Sequence, residues 1–316
     1  MTMTKLKEHL LNRYPGDFHR TIAVREFVEQ ICLRHIELGL ADSNFESNLC
    51  SGNDARYWQR LSEALLSHEL TLANMKLSSS NNGPDFLIQH EGHNIWVEVI
   101  CPEPTGVPAN WLQSNLVAGT SIPHEAILLR WTAAIKEKTE KLLGNPAKGL
   151  AGYLLKGIVA TNDSYVIAIN GRRLRGDNFP SITGISQYPY AVEAAFAVGP
   201  FAIQINSEAL KAVGSAHQQR YVIQNPNRSN VATYMFLNPM FRNISAIWAL
   251  DIDETHVIGN SKQMAVVHNP LAANPIPSNF LPAFSDYVAI KDGEDGYELE
   301  HRPGSLYREQ SGMYHD

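Results

Sequence analysis

Cysteine is scarce in this sequence, which has three cysteines in 316 residues. Cys32, Cys50 and Cys101 lie far apart and form no CxxC pair. Their small, odd number and wide spacing argue against a disulfide framework, and the lack of a CxxC pair argues against a structural zinc site. We interpret the three residues as buried free thiols.

Long apolar segments are also lacking. No stretch approaches the roughly eighteen uninterrupted apolar residues of a membrane-spanning helix, and residues 1–8 (MTMTKLKE) lack the apolar core of a secretory signal. With 44% hydrophobic and 18% charged residues, the composition is that of a chain that folds. We therefore expect a folded cytoplasmic protein.

The sequence also lacks an excess of positive charge. It has 26 Lys and Arg residues against 32 Asp and Glu residues, which gives a formal charge of −6. Such a balance argues against a broad polyanion-binding surface. A local basic groove remains compatible with it, and residues 130–156 and 172–175 carry clusters of basic side chains. Each cluster alone fits a solvated helix face or a polar turn equally well.

Apolar periodicity predicts an alternation of helices and strands. Steps of three and four residues predict helices over residues 20–39, 55–75 and 125–143, the first two separated by a polar loop. Short apolar runs predict strands over residues 85–88, 95–100 and 165–170, the first two joined as a hairpin. From residue 185 the pattern is β-rich, with apolar runs near 194–205, 221–237, 245–252 and 264–268, and the last twenty residues are polar and expected to be loosely ordered.

Two acidic residues stand out by position. Asp85 opens one strand, and Glu98 lies in the middle of the next, in an apolar run where an unpaired charge costs several kcal/mol. Period-two alternation puts Trp96, Glu98 and Ile100 on one face. If the hairpin register brings Asp85 beside Glu98, their oxygens form a site for Mg²⁺. The alternative is that Glu98 meets solvent or an arginine at a sheet edge.

The helix over residues 125–143 carries a lysine inside its apolar stripe. At about 100° per residue, Lys138 falls close to Trp131, whereas Lys136 and Lys141 point elsewhere. A lysine on the buried face needs an anionic partner, and Glu98 is the obvious one. The alternative is an aliphatic stem that lies on apolar surface while its ammonium reaches water.

These residues carry a family resemblance. Gly83-Pro84-Asp85-Phe86, a short hairpin and then Ile95-Trp96-Val97-Glu98-Val99 resemble the signature of the PD-(D/E)xK nuclease superfamily. The resemblance implies an α/β fold with a restriction-endonuclease-like α-β-β-β-α-β core over residues 55–180. A helical segment (1–54) would precede this core, and a β-rich C-terminal extension (181–316) would pack on it. One strand of the core would have to lie between Cys101 and His124.

The resemblance also implies a site and a chemistry. Asp85 and Glu98 would bind Mg²⁺ or Mn²⁺, and the preceding helix would add an acidic residue, for which Glu63 is preferred and Glu69 competes. The motif lysine is absent, since its position is Ile100, and Lys138 would supply the equivalent ammonium. Catalytic residues would thus be Asp85, Glu98, Lys138 and Glu63.

The function implied is metal-dependent hydrolysis of phosphodiester bonds in nucleic acid, with DNA favoured over RNA. Gln59 and Arg130 are candidate contacts to the nucleic-acid backbone. A homodimer or an activating protein partner is compatible with this function. The alternative is a catalytically inactive binding or scaffold protein that keeps the nuclease fold.

A competing motif lies further along the chain. Asp251, Asp253 and Thr255 match the DxDxT motif of haloacid-dehalogenase-like phosphatases, but only 61 residues follow Thr255, too few for the α/β stretch that this fold needs after its motif. We interpret the segment as a strand that leads into an acidic turn. His217 and His268 have no second ligand at metal spacing and are interpreted as structural histidines.

Overall fold

The computed structural model describes residues 3–80, 82–113, 121–176, 182–208, 210–293 and 296–306. These residues form seven α-helices: α1 (Met3–Arg13), α2 (His19–Glu37), α3 (Phe45–Leu49), α4 (Asp54–Leu72), α5 (Ala109–Leu112), α6 (His124–Leu143) and α7 (Tyr190–Phe196). None of the helices in the described ranges is long and apolar enough to cross a membrane.

Fourteen strands lie in the described residues: β1 (Leu77–Ser78), β2 (Phe86–His90), β3 (His93–Ile100), β4 (Gly144–Asn145), β5 (Leu150–Ala151), β6 (Ser164–Asn170), β7 (Val198–Asn206), β8 (Lys211–Gln219), β9 (Val222–Gln224), β10 (Asn230–Ala232), β11 (Ala246–Asp251), β12 (Gln263–His268), β13 (Ser285–Asp292) and β14 (Gly296–Pro303). Eight of them form one mixed sheet in the order β1-β2-β3-β6-β11-β12-β13-β14. β3, β6 and β11 run parallel to one another, so their carboxyl ends meet at one edge of the sheet.

The sheet separates two hydrophobic cores. One face, through side chains such as Phe86 and Val97, packs on α1, α2 and α4. The other face, through side chains such as Trp96 and Ile167, packs on α6 and α7. The central strand β6 is buried along its whole length, as expected for a parallel strand covered by helices on both sides.

The hairpin of β2 and β3 fixes the register that matters for the site. Glu91 and Gly92 both have positive φ (49° and 81°), which is the backbone of a tight two-residue hairpin turn. In the resulting register Phe86 lies opposite Val97. Continued by one residue, this register places Asp85, directly before β2, opposite Glu98, which is the register that a shared Asp85–Glu98 site requires.

Most of the predicted elements are confirmed, and the α/β class is confirmed with them. The three long helices and the strands over 85–88, 95–100 and 165–170 form within a few residues of their predicted bounds. No strand forms in residues 101–113 or 121–123, where the third core strand was expected, and residues 114–120 lie outside the described ranges. Instead, the two-residue β1 pairs with β2 on the far side of the hairpin.

Other expectations were wrong in detail. The polar stretch 41–54 contains α3, and the apolar run near 194 begins as α7 before it continues as β7. Part of the polar C-terminal stretch forms the edge strand β14, and residues 307–316 lie outside the described ranges. Within the expected C-terminal extension (181–316), β11 to β14 continue the same sheet as β3 and β6.

Candidate functional site

An open cleft of about 690 Å³ lies at the carboxyl end of β3, between α4 and α6. Its lining includes the acidic residues Asp42, Glu63, Asp85, Glu98, Glu103 and Glu137 and the basic residues Arg56, Arg60, Arg130, Lys138 and Lys141. Four of these, Asp85, Glu98, Lys138 and Glu63, are the predicted catalytic residues. The sequence-predicted residues thus come together around one cavity.

Asp85, directly before β2, and Glu98, on the neighbouring strand β3, both line the cleft. The Asp85 Oδ2 atom accepts a hydrogen bond from the backbone amide of Val99 at 2.6 Å, which fixes the carboxylate beside β3. Glu98 is buried and lies on the sheet face that α6 covers, as period-two alternation predicted. An unpaired carboxylate there would be costly, so its partners decide whether the site is stable.

Two lysines of α6 neutralise Glu98. The Lys138 Nζ atom lies 2.9 Å from Glu98 Oε1, and the Lys141 Nζ atom lies 2.8 Å from the same oxygen. The predicted pair of Lys138 with Glu98 is therefore present, but the expectation that Lys141 points elsewhere was wrong. The lysine side chains differ in burial, since Lys138 is 6% exposed and Lys141 is 46% exposed.

Tyr153 approaches Glu98 from the loop that follows α6. Its hydroxyl donates to Glu98 Oε2 and is also within reach of the Gly83 carbonyl, both at 3.4 Å. The loop is held by its own backbone, because the amide of Tyr153 donates to the Lys141 carbonyl at the end of α6. Gly152 permits this close return, since a Cβ there would lie 2.2 Å from the amide nitrogen of Gly144.

α4 contributes a second polar cluster. Arg60 bridges Glu63 and Asp42, at 2.8 Å and 2.9 Å. Gln59 uses both ends of its amide: its nitrogen donates to Glu63 and to the Val99 carbonyl, and its oxygen accepts from the Cys101 amide. Gln59 therefore anchors α4 to the end of β3.

The charges of the cleft act on one another. Burial, followed by the charges of Glu98 and Glu63, raises the pKa of Asp85 well above its ordinary value. Burial alone would raise the pKa of Glu98 as well, but Lys138 and Lys141 outweigh burial and lower it. The burial of Tyr153, followed by the charges of Glu98 and Asp85, raises the pKa of its hydroxyl, so Tyr153 stays a neutral donor. Asp85 is thus the carboxyl that holds a proton more readily, whereas Glu98 carries a negative charge that the two lysines compensate.

The donor chemistry of the cleft fits a hard divalent cation. In the described ranges no group of three or more His, Cys, Asp or Glu side chains is arranged to hold a metal ion. Mg²⁺, however, is commonly held by one or two carboxylates and keeps several waters in its shell. Asp85 and Glu98 supply that number of carboxylates, and a cation would offset the burial and the neighbouring carboxylates that together raise the pKa of Asp85.

The other residues singled out from the sequence have separate environments. Glu69 lies on α4 away from the cleft lining and binds Lys262 with both oxygens, at 2.8 Å and 2.7 Å. Of the two acidic candidates on α4, Glu63 is therefore the one in the cleft. Arg130 lines the cleft, and its Nε donates to the Glu103 carbonyl at 2.8 Å.

The DxDxT segment has a structural environment. Asp251 and Asp253 are buried at the end of β11, where both contact Arg175 and Asp253 also contacts Arg172. Asp253 caps the short helix that follows by accepting from the amide of Thr255. These pairs join the end of β6 to the end of β11, in agreement with the acidic turn predicted there.

The two histidines discussed above make ordinary structural contacts. The Nδ1 atom of His217 lies 3.0 Å from the Gly199 carbonyl, and the Nε2 atom of His268 lies 3.1 Å from Asp286. All three cysteines are free, and Cys50 is only partly buried.

Sequence reasoning missed three side chains of the cleft. Arg60 had a signal, because it precedes Glu63 by three residues on one helix face. Lys141 had a weaker one, since it follows Lys138 by three residues and a lysine stem is long enough to bend back to Glu98. Tyr153 had none, because its position depends on how the loop after α6 folds back.

Comparisons of the chain with protein-family models, with curated proteins and with solved structures give no match.

Proposed function

We propose that the chain is a metal-dependent nuclease that hydrolyses phosphodiester bonds of nucleic acid, with DNA as the favoured substrate. The observation that carries the proposal is the meeting of Asp85, Glu98 and the buried ammonium of Lys138 at the floor of one open cleft. A fold gains little from such a cluster, since buried ion pairs are weak stabilisers compared with apolar packing. Perturbed, mutually coupled charges in a cleft are typical of catalytic sites.

The order of the elements supports the same proposal. Apart from the four-residue helix α5 before α6 and the short pair β4 and β5 after it, the described elements α4, β1, β2, β3, α6 and β6 follow the order α-β-β-β-α-β. This is the order that the resemblance to the PD-(D/E)xK nucleases implies. Its third strand is then β1, before Asp85, and no strand is needed between Cys101 and His124.

Each residue has a distinct role in this proposal. Asp85 and Glu98 would hold Mg²⁺ or Mn²⁺, which supplies Lewis-acid activation of water and of the phosphate. Lys138 is buried and paired with Glu98, so it would provide a fixed positive charge for the phosphate oxygens. Tyr153 donates a hydrogen bond that orients Glu98. Glu63 and Gln59 keep α4 and the end of β3 in register.

Lys141 has a different role because its side chain is half exposed. It can exchange Glu98 for a phosphate oxygen and remain hydrated, whereas Lys138 cannot. Arg130 and Arg56 lie on the cleft lining, where phosphates of the strand would pass. The proposed contacts to the substrate backbone are therefore Lys141, Arg130 and Arg56. Gln59 is not proposed as a contact, because its side-chain amide already hydrogen-bonds to Glu63 and to the backbone of β3 and Cys101.

The charge of the cleft predicts how substrate binds. Six acidic and five basic side chains line the cleft, so it does not attract a polyanion by itself. A divalent cation reverses this balance. Nucleic-acid binding should therefore require a divalent cation, including Ca²⁺, which supports binding in sites of this kind without necessarily supporting hydrolysis.

The proposal is tested by incubating the full chain with plasmid, linear and single-stranded DNA and with RNA, under Mg²⁺, Mn²⁺ and Ca²⁺. We expect cleavage of at least one polymer with Mg²⁺ or Mn²⁺, and its loss in Asp85→Asn and Glu98→Gln. Glu298→Gln, at an exposed position on β14, is the matched control for removal of one carboxylate. Cleavage that survives both site substitutions would contradict the proposal.

A non-catalytic binding protein with the same fold is the second candidate. The observation that favours it is the saturation of one Glu98 oxygen by two lysines, which competes with a metal ion for that oxygen. This candidate predicts binding of nucleic acid that is independent of divalent cations and cleavage of none. Binding measured with EDTA and with Ca²⁺ separates the two candidates without reference to turnover.

A further inference from the structure

A β-hairpin made of β7 and β8 stands apart from the main sheet. These nine-residue strands pair with each other in a sheet of their own, and we refer to residues 198–208 and 210–219 as the arm. The arm concentrates exposed large hydrophobic side chains, namely Phe201, Ile203, Ile205, Leu210 and Val213. A lone two-stranded hairpin with such a surface is marginal in water, and its open edges favour pairing or docking.

The charge of the arm restricts what can cover it. Among its described residues, Glu208 and Lys211 are the two with formal charge, and both lie at the tip. A surface with one basic residue does not fit nucleic acid, which is bound through clustered Lys and Arg. An apolar protein surface is the chemistry that matches the arm.

The same chain has an apolar groove beside the base of the arm. The groove has a volume of about 940 Å³ and lies between the outer face of α6 and residues 224–241, with walls that include Leu129, Ala133, Met240 and Phe241. Residues that flank the arm contact the groove. Arg220, directly after β8, binds Glu125 at the groove rim. Thr233, in the groove segment 224–241, accepts a hydrogen bond from the Ala197 amide and donates its own amide to the Tyr221 carbonyl.

We propose that two copies of this chain form a two-fold dimer in which the arm of each copy lies in the apolar groove of the other. Because the arm base adjoins the groove rim, a single two-fold axis near this point can serve both arm-groove contacts of the dimer. This inference does not rest on the nuclease proposal, since neither arm nor groove includes Asp85, Glu98, Lys138 or Glu63, although Arg130 lines both the groove and the cleft.

The area of the contact favours a second copy over an unrelated partner. A nine-residue strand pair is about 30 Å long and about 10 Å wide, so one face of the arm covers about 300 Å². One arm in one groove then hides about 600 Å² of total surface, which is below the roughly 1,200 Å² where specific stable interfaces begin. Reciprocal exchange doubles the area and reaches that limit, whereas a one-way contact does not.

The test is the mass of the purified full chain in solution, measured by sedimentation velocity over a range of micromolar concentrations. The arm variant is Ile203→Asp with Ile205→Asp, and the groove variant is Ala133→Glu with Met240→Glu. Leu72→Glu, at an exposed apolar residue on α4, is the matched control. All substituted side chains are exposed, so circular dichroism should show the fold unchanged.

The expected result is a dimer for the wild type and the control. The dimer dissociation constant should rise about a hundredfold or more in the arm variant and in the groove variant, because carboxylates would be buried in an apolar contact. A mixture of the two variants should stay monomeric, because the single intact contact between one arm and one groove hides only about 600 Å² and the second contact would bring carboxylates together.

Three results would overturn the inference. If the wild-type chain is monomeric at every concentration, the arm of one copy does not bind the groove of another. The groove would then be covered by its own arm or by a small apolar ligand. A dimer that persists in both variants means that copies associate through another surface. A dimer lost in the arm variant and kept in the groove variant means that arms pair edge to edge.

Discussion

Replacing Lys138 by methionine distinguishes the contributions that Lys138 and Lys141 make to stability through their pairs with Glu98. Methionine keeps the length of the stem and has nearly the helix propensity of lysine, so the change removes the ammonium and little else. Lys138 is 6% exposed and Glu98 is 2% exposed, and removal of one partner from a buried pair costs about 3–5 kcal/mol. Lys141 remains on Glu98 in the variant, which sets the expected loss at about 3 kcal/mol, the lower end of this range.

Lys141→Met provides the comparison. Its side chain is 46% exposed, and pairs that reach solvent contribute about 0–1 kcal/mol, so the loss should stay below about 1 kcal/mol. Lys136→Met, on an exposed position of the same helix, should leave the free energy of unfolding unchanged. Urea unfolding at neutral pH, followed by circular dichroism, measures all three variants.

The reasoning is refuted by either of two outcomes. If Lys138→Met loses no more stability than Lys136→Met, the ammonium of Lys138 is not paired in the buried position that the structure shows. If Lys141→Met loses as much as Lys138→Met, the two lysines are equivalent. Their proposed division into a fixed charge and a mobile phosphate contact then fails.

Three further predictions concern single residues. Burial and the neighbouring carboxylates raise the pKa of Asp85, so the stability that its proton contributes is fully present below the unfolded pKa of about 3.9 and is lost as the pH rises through the folded pKa. In urea unfolding, Asp85→Asn should therefore gain stability relative to the wild type as the pH rises. A difference that stays constant with pH would contradict this. Gln59→Ala should lose about 1–3 kcal/mol in the same assay because it leaves the buried Cys101 amide unpaired; no loss means that water replaces the side chain. Glu69→Gln should reduce stability by weakening the pair with Lys262 while nuclease activity stays unchanged, and a loss of activity at full stability would assign Glu69 to the site.

Local signals in the sequence predict the elements that position the site. Glycine and proline end the elements near Asp85, the hairpin spacing sets the Asp85–Glu98 register, and the apolar stripe of α6 points Lys138 at the sheet. Each of these signals spans a few residues of chain. They sufficed for the α/β class and for the two strands and the helix that meet in the cleft.

Features that depend on distant contacts were not predictable in this way. Tyr153 reaches Glu98 because the loop after α6 returns to the helix end, and no local pattern encodes that return. β1 has only two residues, which is too short for any periodicity. α7 is a seven-residue helix whose Tyr190, Val192 and Phe196 also suit a strand, so packing against α6 decides its form.

Cleavage of nucleic acid by the wild type and by Lys138→Met, measured side by side under Mg²⁺, tests the central claim most directly. Loss of a fixed charge at the phosphate should reduce the rate by about a hundredfold or more, while Lys136→Met cleaves as the wild type does. Equal rates for wild type and Lys138→Met would contradict the claim. So would a wild-type chain that leaves DNA and RNA intact under every divalent cation while Asp85 and Glu98 are shown to bind the ion.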